Sequence, residues 1–185
     1  MNKLVRYIDC DGVILDTESG LFNEYYKLKE KNNNLKKLVY LQQLNWYDWI
    51  RQAGVINNAI DILKEQNPSS AAIITKVHSL MEGQIKIEFF REHGIKNNII
   101  IVPSTLSKSA VVQAGGSLLV DDSVGNLEDW RCNGGIPFLF KKDEITESMS
   151  LGEPMTSQRF PIINNLESIF SEETEEYCKR LRLRR

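Results

Sequence analysis

Five short and continuous runs of apolar residues recur along the chain, and a polar or helical stretch follows each of them. The runs cover residues 4–8 (interrupted only by Arg6), 71–74, 99–102, 118–120 and 136–140. Continuous apolar character is typical of parallel strands that helices cover on both faces. The alternation of strand and helix therefore predicts an α/β fold with a doubly wound, mainly parallel, five-stranded sheet.

The stretch between the first and second predicted strands is far longer than a usual connection. Apolar residues at helical spacing occur in both halves of this stretch, and the run Asn32-Asn33-Asn34 marks a turn between them. We therefore predict a core domain formed by residues 1–17 and 55–185. Residues 18–54 are predicted to form a small helical cap inserted after the first strand.

Composition and charge argue against several classes of protein. A hydrophobic fraction of 42% and a charged fraction of 26% are ordinary for a soluble globular protein. The net charge of −2 gives no reason to expect a nucleic-acid partner, and no apolar stretch approaches the roughly 18 residues of a membrane span. The start lacks the apolar core of a signal peptide. Three scattered cysteines do not suggest a disulfide framework, so we expect a cytoplasmic protein. The sequence does not indicate an oligomeric state.

The C-terminal residues 179–185 carry five positive charges. Such a tail could contact the phosphates of a nucleic acid or of a membrane. However, four glutamates lie just upstream, at positions 172, 173, 175 and 176. A helix with an acidic start and a basic end complements its own dipole and needs no partner, and we favour this structural interpretation.

Polar side chains follow three of the five predicted strands. These residues, together with a lysine that precedes the fourth strand by a helix-sized interval, are Asp9, Asp11, Thr75, Lys108, Asp121 and Asp122. Ligand sites of doubly wound sheets lie outside the carboxyl ends of the strands, so we expect these side chains to converge. Carboxylates that converge above a buried strand are costly unless a metal ion or protons compensate their charge.

The string from Asp9 to Thr17, D-C-D-G-V-I-L-D-T, resembles the first motif of the haloacid dehalogenase (HAD) superfamily. Most members of that superfamily are magnesium-dependent phosphatases. Ile73-Ile74-Thr75 resembles the second motif, Lys108 the third, and the acidic pair Asp121-Asp122 followed by Asn126 the fourth. The resemblance covers residues 4–140.

This resemblance implies a role for each residue. Asp9 would be the nucleophile that forms an aspartyl-phosphate. Asp11 would be the general acid and base, and we expect neighbouring negative charges to raise its pKa. Lys108 and Thr75 would neutralise and orient the phosphoryl group.

The metal ion implied by the resemblance is Mg²⁺, a hard cation that prefers oxygen ligands. Its ligands would be Asp9, the backbone carbonyl of Asp11, and Asp122. Asp121 either binds the metal directly or supports a water ligand. Lys86 is an alternative to Lys108 as the phosphate lysine, although its position within a helix favours a solvated face.

Three residues are candidates for substrate binding, namely Gly12, Lys76 and Trp46. Gly12 would let the backbone approach the phosphate, and Lys76 is expected on a loop after Thr75. Trp46 is one of several cap aromatics that could either stack a nucleobase or pack the cap onto the core.

The sequence therefore predicts a magnesium-dependent phosphomonoester hydrolase that acts on a small phosphorylated substrate. The cap resembles that of the 5'(3')-deoxyribonucleotidase branch, so a nucleoside monophosphate is one candidate substrate and a 5'-nucleotidase one candidate activity. A phosphatase of sugar or other metabolite phosphates is the first alternative. The second is a catalytically silent phosphate-binding or regulatory protein, against which the presence of both Asp9 and Asp11 speaks.

Overall fold

The computed structural model describes residues 3–17, 34–143 and 160–183. Its strands are β1 (Arg6–Ile8), β2 (Leu15–Asp16), β3 (Gly54–Val55), β4 (Ala72–Val77), β5 (Asn98–Pro103), β6 (Leu118–Asp121), β7 (Ile136–Phe140) and β8 (Ile162–Ile163). Six of them form one parallel sheet in the order β5-β4-β1-β6-β7-β8. The chain first winds from β1 towards β5 and then crosses back to β6, so the switch point lies beside β1.

The predicted α/β class and doubly wound sheet are confirmed, but the sheet has one strand more than the five predicted. The additional strand, β8, has only two residues and extends the edge beside β7 through the pairs Leu139↔Ile162 and Phe140↔Ile163. A strand this short carries too little periodicity to stand out in a sequence.

Both faces of the sheet are covered, which explains the continuous apolar runs. Ile73 and Val120 belong to one cluster of buried residues, whereas their neighbours Ile74 and Leu119 belong to a second cluster. Successive side chains of a strand point to opposite faces, so each strand contributes to both clusters.

The described helices are α1 (Asn34–Gln43), α2 (Trp46–Gln52), α3 (Ala59–Glu65), α4 (Leu80–Glu92), α5 (Val124–Cys132) and α6 (Glu172–Leu183). Helix α4 begins after Ser79, whose hydroxyl accepts a hydrogen bond from the Glu82 amide at 3.1 Å. It ends before His93, and Gly94 follows with a φ of +79°, a conformation that glycine adopts readily at the end of a helix. None of these helices is long and apolar enough to cross a membrane.

The two ends of the predicted cap are brought together by β2 and β3, which pair antiparallel. Beyond this ribbon, Leu41, Trp46 and Ile50 of the inserted segment are buried in the same cluster as Ile8 of the central strand. The second half of the segment therefore packs on the core. Its first half, with Tyr25 and Tyr26, lies outside the described residues, and the division into cap and core stays a prediction.

The basic C-terminal segment continues helix α6, as the charge pattern predicts, as far as the structure describes it. Tyr177 and Cys178 are buried on its inner face. Arg182 Nε donates to the carbonyl of Gly116 at 2.6 Å, and Arg6 Nη2 lies 2.7 Å from Glu175 Oε1. The helix is thus a packed element of the core.

Candidate active site

The topology brings the predicted polar residues to one edge of the sheet. Asp9 and Asp11 directly follow β1, Thr75 lies within the neighbouring β4, and Asp121 ends β6 on the other side of β1. Lys108 opens a short 3-10 helix, Lys108–Ala110, that follows β5. The carboxyl ends of three adjacent strands therefore supply the carboxylates and the hydroxyl group.

Lys108 lies between two carboxylates. Its Nζ is 2.8 Å from Asp9 Oδ1 and 2.6 Å from Asp121 Oδ2, and all three side chains are almost fully buried. Burial disfavours the ammonium form, but the charges of Asp9 and Asp121 outweigh it and raise the pKa of Lys108. The lysine is therefore a fixed positive charge directly beside Asp9.

Both oxygens of Asp121 are held by the protein. Oδ1 accepts from the Ser123 amide at 2.9 Å, and the Asn126 side-chain amide lies 3.1 Å from each oxygen. Lys108 completes the set at Oδ2. These donors fix the Asp121 carboxylate, which in turn holds Lys108 in place.

Three carboxylates lie close enough to share one cation. Oxygen atoms of Asp9, Asp121 and Asp122 all lie within 4.8 Å of one another. Burial, followed by the charge of Asp121, raises the pKa of Asp9 well above its usual range, although Lys108 opposes the shift. The described residues thus fit a Mg²⁺ ion, which prefers carboxylate oxygens and would compensate the excess negative charge.

The structure explains why position 12 is a glycine, which the sequence did not indicate. Its φ is +73°, and a Cβ atom at this position would lie 2.2 Å from Asp122 Oδ2. The glycine therefore makes room for the Asp122 carboxylate, whereas contact with a phosphate stays a prediction. Both residues also line a cavity of about 300 Å³ with Asp16, Phe140, Lys141, Lys142 and Asp143.

A second lysine also lies at the site, where the sequence interpretation placed it on a solvated helix face. Lys86 of α4 is completely buried, and its Nζ lies 2.6 Å from Asp11 Oδ2, 2.8 Å from Glu82 Oε1 and 3.1 Å from Thr75 Oγ1. The solvated interpretation is therefore wrong. The available signal was the spacing of Glu82, Lys86 and Phe90, which lie four residues apart on one helix face.

The carboxylate of Asp11 is held by three donors. Thr17 Oγ1 donates to Oδ1 at 3.0 Å, while Thr75 Oγ1 and Lys86 Nζ lie 3.2 and 2.6 Å from Oδ2. Burial alone raises the pKa of Asp11, but the Lys86 charge and these hydrogen bonds lower it overall. The direction is opposite to the predicted one, because the sequence did not reveal a lysine at this carboxylate.

For Trp46 the structure favours packing, one of its two interpretations, whereas Lys76 lies in an environment that the sequence did not predict. Trp46 is only 6% exposed, its Nε1 donates to the Leu41 carbonyl at 3.0 Å, and its ring stacks on His78. Its faces are thus packed, which argues against nucleobase stacking. Lys76 lies within β4, and not on a loop after it, with a half-buried side chain.

No family model and no curated protein matches this chain. Among solved structures, it is similar to a family IA, variant 3 HAD hydrolase from Entamoeba histolytica, with a TM-score of 0.58, 13% identity, and coverage of 96% of this chain and 100% of that one. A HAD-hydrolase from Bacillus subtilis bound to magnesium matches with a TM-score of 0.56 and 12% identity over 92% of this chain and 98% of that one. A HAD-superfamily hydrolase from Ehrlichia chaffeensis matches with a TM-score of 0.53 and 12% identity over 98% and 99%.

These similarities show that the chain has the fold of HAD-superfamily hydrolases. They extend over nearly the whole length of this chain and of each of the three structures. At this level of identity they establish the fold, and the chemistry has to be argued from the site.

Proposed function

We propose that the protein is a magnesium-dependent phosphomonoester hydrolase of the HAD superfamily that works through an aspartyl-phosphate on Asp9. The observation that carries this proposal is the position of Asp9, which lies beside a buried lysine and within a cluster of carboxylates at the switch point of the sheet. A carboxylate in these surroundings is suited to attack an anionic phosphoryl group, because a neighbouring positive charge offsets the negative charge of that group.

The contacts of Asp9 favour attack through one of its two carboxylate oxygens. Within the described part of the chain, the Cys10 amide and Lys108 both contact Oδ1, each at 2.8 Å. Oδ2 would form the bond to phosphorus while the ester P–O bond breaks. The pair of electrons leaves with the substrate oxygen, which takes a proton from Asp11.

In the second step Asp11 would accept a proton from water, and the water oxygen would attack the phosphorus of the intermediate. This step breaks the bond between phosphorus and Asp9, releases inorganic phosphate and restores the free carboxylate. A phosphate dianion bound next to Asp11 adds negative charge, which raises the pKa of that carboxyl from its lowered value in the free protein. Substrate binding itself would thus help Asp11 to hold its proton.

Asp9, Asp122 and the backbone carbonyl of Asp11 are the residues that would hold Mg²⁺. When bound, the ion offsets charge on the transferring phosphoryl group and helps to orient it. Lys108 supplies a second positive charge beside Asp9, and Asp121 keeps that lysine in place. One structure with the same fold is bound to magnesium, which supports this choice of metal.

The proposed substrate is a small phosphomonoester. A nucleoside monophosphate remains a candidate because of the aromatic residues in the inserted segment, although the burial of Trp46 weakens that argument. A sugar or other metabolite phosphate needs no stacking platform, so the burial of Trp46 does not count against it.

The proposal is tested by hydrolysis of p-nitrophenyl phosphate with Mg²⁺ and with EDTA. We expect activity that EDTA removes and Mg²⁺ restores, and Asp9→Asn should abolish it while the fold is retained. Asp61→Asn, which removes an exposed carboxylate from α3, is the matched control. If neither this ester nor a panel of nucleoside and sugar phosphates is hydrolysed, the catalytically silent alternative is favoured.

A further inference from the structure

A buried ion pair lies next to the site on helix α4. Glu82 and Lys86 are one helical turn apart, 2% and 0% exposed, and their charged atoms lie 2.8 Å apart. Burying two charges costs several kcal/mol per ion unless the remaining donors and acceptors are also satisfied. The further contacts of this pair therefore indicate what it does.

Glu82 is fixed through both of its carboxylate oxygens. Oε1 accepts from Lys86, and Oε2 accepts from the backbone amide of His78 at 2.7 Å. The Glu82 amide in turn donates to Ser79 Oγ at 3.1 Å. The side chain thus ties the turn after β4 to the first turn of α4.

Lys86 uses all three of its ammonium protons within the protein. Its acceptors are Glu82, Asp11 and Thr75, at 2.8, 2.6 and 3.1 Å. No proton is left for a phosphoryl group unless one of these contacts breaks. Lys108 differs, because its contacts to Asp9 and Asp121 account for two of its three protons. This difference favours Lys108 as the phosphate lysine and gives Lys86 another task.

We propose that Glu82 is a positioning residue, which acts through Lys86 to fix the Asp11 carboxylate for proton transfer to the leaving group. This inference rests on the proposed function, in which Asp11 is the general acid. Glu82 holds the ammonium group of Lys86 through Oε1. Lys86 and Thr75 then both contact Oδ2 of Asp11. The alternative is that the pair serves only the stability of α4.

The test is Glu82→Gln, which keeps the size of the side chain. Glutamine has an acceptor oxygen on one side of its amide and a donor nitrogen on the other, so it cannot replace both of the carboxylate oxygens that accept from Lys86 and from the His78 amide. One contact must break, and the anchor of Lys86 is lost or weakened. Glu88→Gln on the same helix is the matched control, since Glu88 is exposed and accepts a hydrogen bond from the Gln84 side chain at 2.8 Å.

Kinetics with two leaving groups distinguish positioning from a general loss of structure. An alkyl phosphate needs protonation of its leaving oxygen, whereas p-nitrophenyl phosphate hardly does. We expect Glu82→Gln to lower kcat for the alkyl phosphate about tenfold to a hundredfold and kcat for the activated ester less than about threefold. Glu88→Gln should change neither. Equal losses with both substrates, or no loss with either, would overturn the proposal.

A second measurement does not depend on activity. The ¹³Cγ resonance of Asp11 reports on the hydrogen bonds of its carboxylate, so it should shift in Glu82→Gln and stay unchanged in Glu88→Gln. An unchanged resonance in Glu82→Gln would overturn the inference even in an active enzyme. If the wild-type protein hydrolyses no phosphoester, the proposed function and the proton-transfer role both fail, and a shifted resonance would then show a contact of purely structural importance.

Discussion

Gly12 and Asp122 approach each other so closely that a single added carbon atom would collide with the carboxylate. A Cβ at Gly12 would lie 2.2 Å from Asp122 Oδ2 and 2.7 Å from Cγ. The loop after β1 and the end of β6 are therefore matched to each other, and the position of Asp122 beside Asp9 depends on this glycine.

We predict that Gly12→Ala lowers magnesium-dependent hydrolysis by at least about tenfold, because it displaces a proposed metal ligand. The positive φ adds a backbone cost of roughly 1–2 kcal/mol. Enzyme assays across Mg²⁺ concentrations and thermal unfolding would measure both effects. Gly54→Ala is the control, since its Cβ would meet no atom within 4 Å. Wild-type activity and metal affinity in Gly12→Ala would contradict this role of Asp122.

The two acidic residues after β6 should differ when each is replaced. Asp122→Ala removes a proposed ligand, so we expect it to raise the Mg²⁺ concentration needed for half-maximal activity. Asp121→Ala should act mainly by releasing Lys108, which then keeps Asp9 as its one carboxylate partner among the described residues. Magnesium titrations of activity would separate the two, and a larger shift in Asp121→Ala would exchange the assigned roles.

Lys108→Met should make the fold depend on magnesium. It leaves Asp9 and Asp121 buried without their cation, which is expected to cost about 3–5 kcal/mol of unfolding free energy. Mg²⁺ should therefore raise the Tm of this variant more than that of the wild type. The control is Lys64→Met, which loses only an exposed pair with Asp61 at 3.3 Å. Equal magnesium shifts in variant and wild type would argue against a cation at this cluster.

The sequence places part of this site well, for a simple geometric reason. The carboxyl ends of adjacent parallel strands meet at one edge of a sheet, so residues such as Asp9, Thr75 and Asp121 converge once their strands are recognised. Asp9 and Asp121 do meet, through Lys108. The strands stand out in the sequence as continuous apolar runs because both faces of the sheet are buried.

The rest of the site depends on contacts between elements that are distant in sequence, and local sequence patterns do not show these contacts. Lys86 shares a helix face with Glu82 and Phe90, but this spacing does not reveal that its ammonium group contacts Asp11 in the loop after β1. The charge of Lys86, together with the hydrogen bonds from Lys86, Thr17 and Thr75, reverses the predicted direction of the Asp11 pKa. Likewise, position 12 needs a glycine because of its close contact with Asp122, which lies more than a hundred residues away in the sequence. Only the folded structure reveals this contact.

Trp46 should behave as a packing residue. We expect Trp46→Phe to cost about 2 kcal/mol of stability, because it loses volume and the hydrogen bond to Leu41. The ratio of KM values for a nucleoside monophosphate and a sugar phosphate should stay unchanged. Tyr47→Phe is the control, since Tyr47 is 52% exposed. A selective rise in KM for the nucleotide would restore the stacking interpretation.

The three cysteines should differ sharply in reactivity towards a thiol reagent such as Ellman's reagent. The thiolate is the reactive form. Burial raises the pKa of Cys178 to about 12, and Cys10 is 0% exposed, whereas Cys132 is exposed at the end of α5.

We therefore expect one rapid equivalent of thiol in the native protein and three after unfolding in guanidinium chloride. Cys132→Ser should remove the rapid equivalent and leave hydrolysis unchanged, because the residue lies far along α5 from the loop that carries Asp122. A second rapid equivalent that persists in Cys132→Ser and disappears in Cys178→Ser would instead show that α6 opens from the core under native conditions, which the packing of Tyr177 and Arg182 argues against.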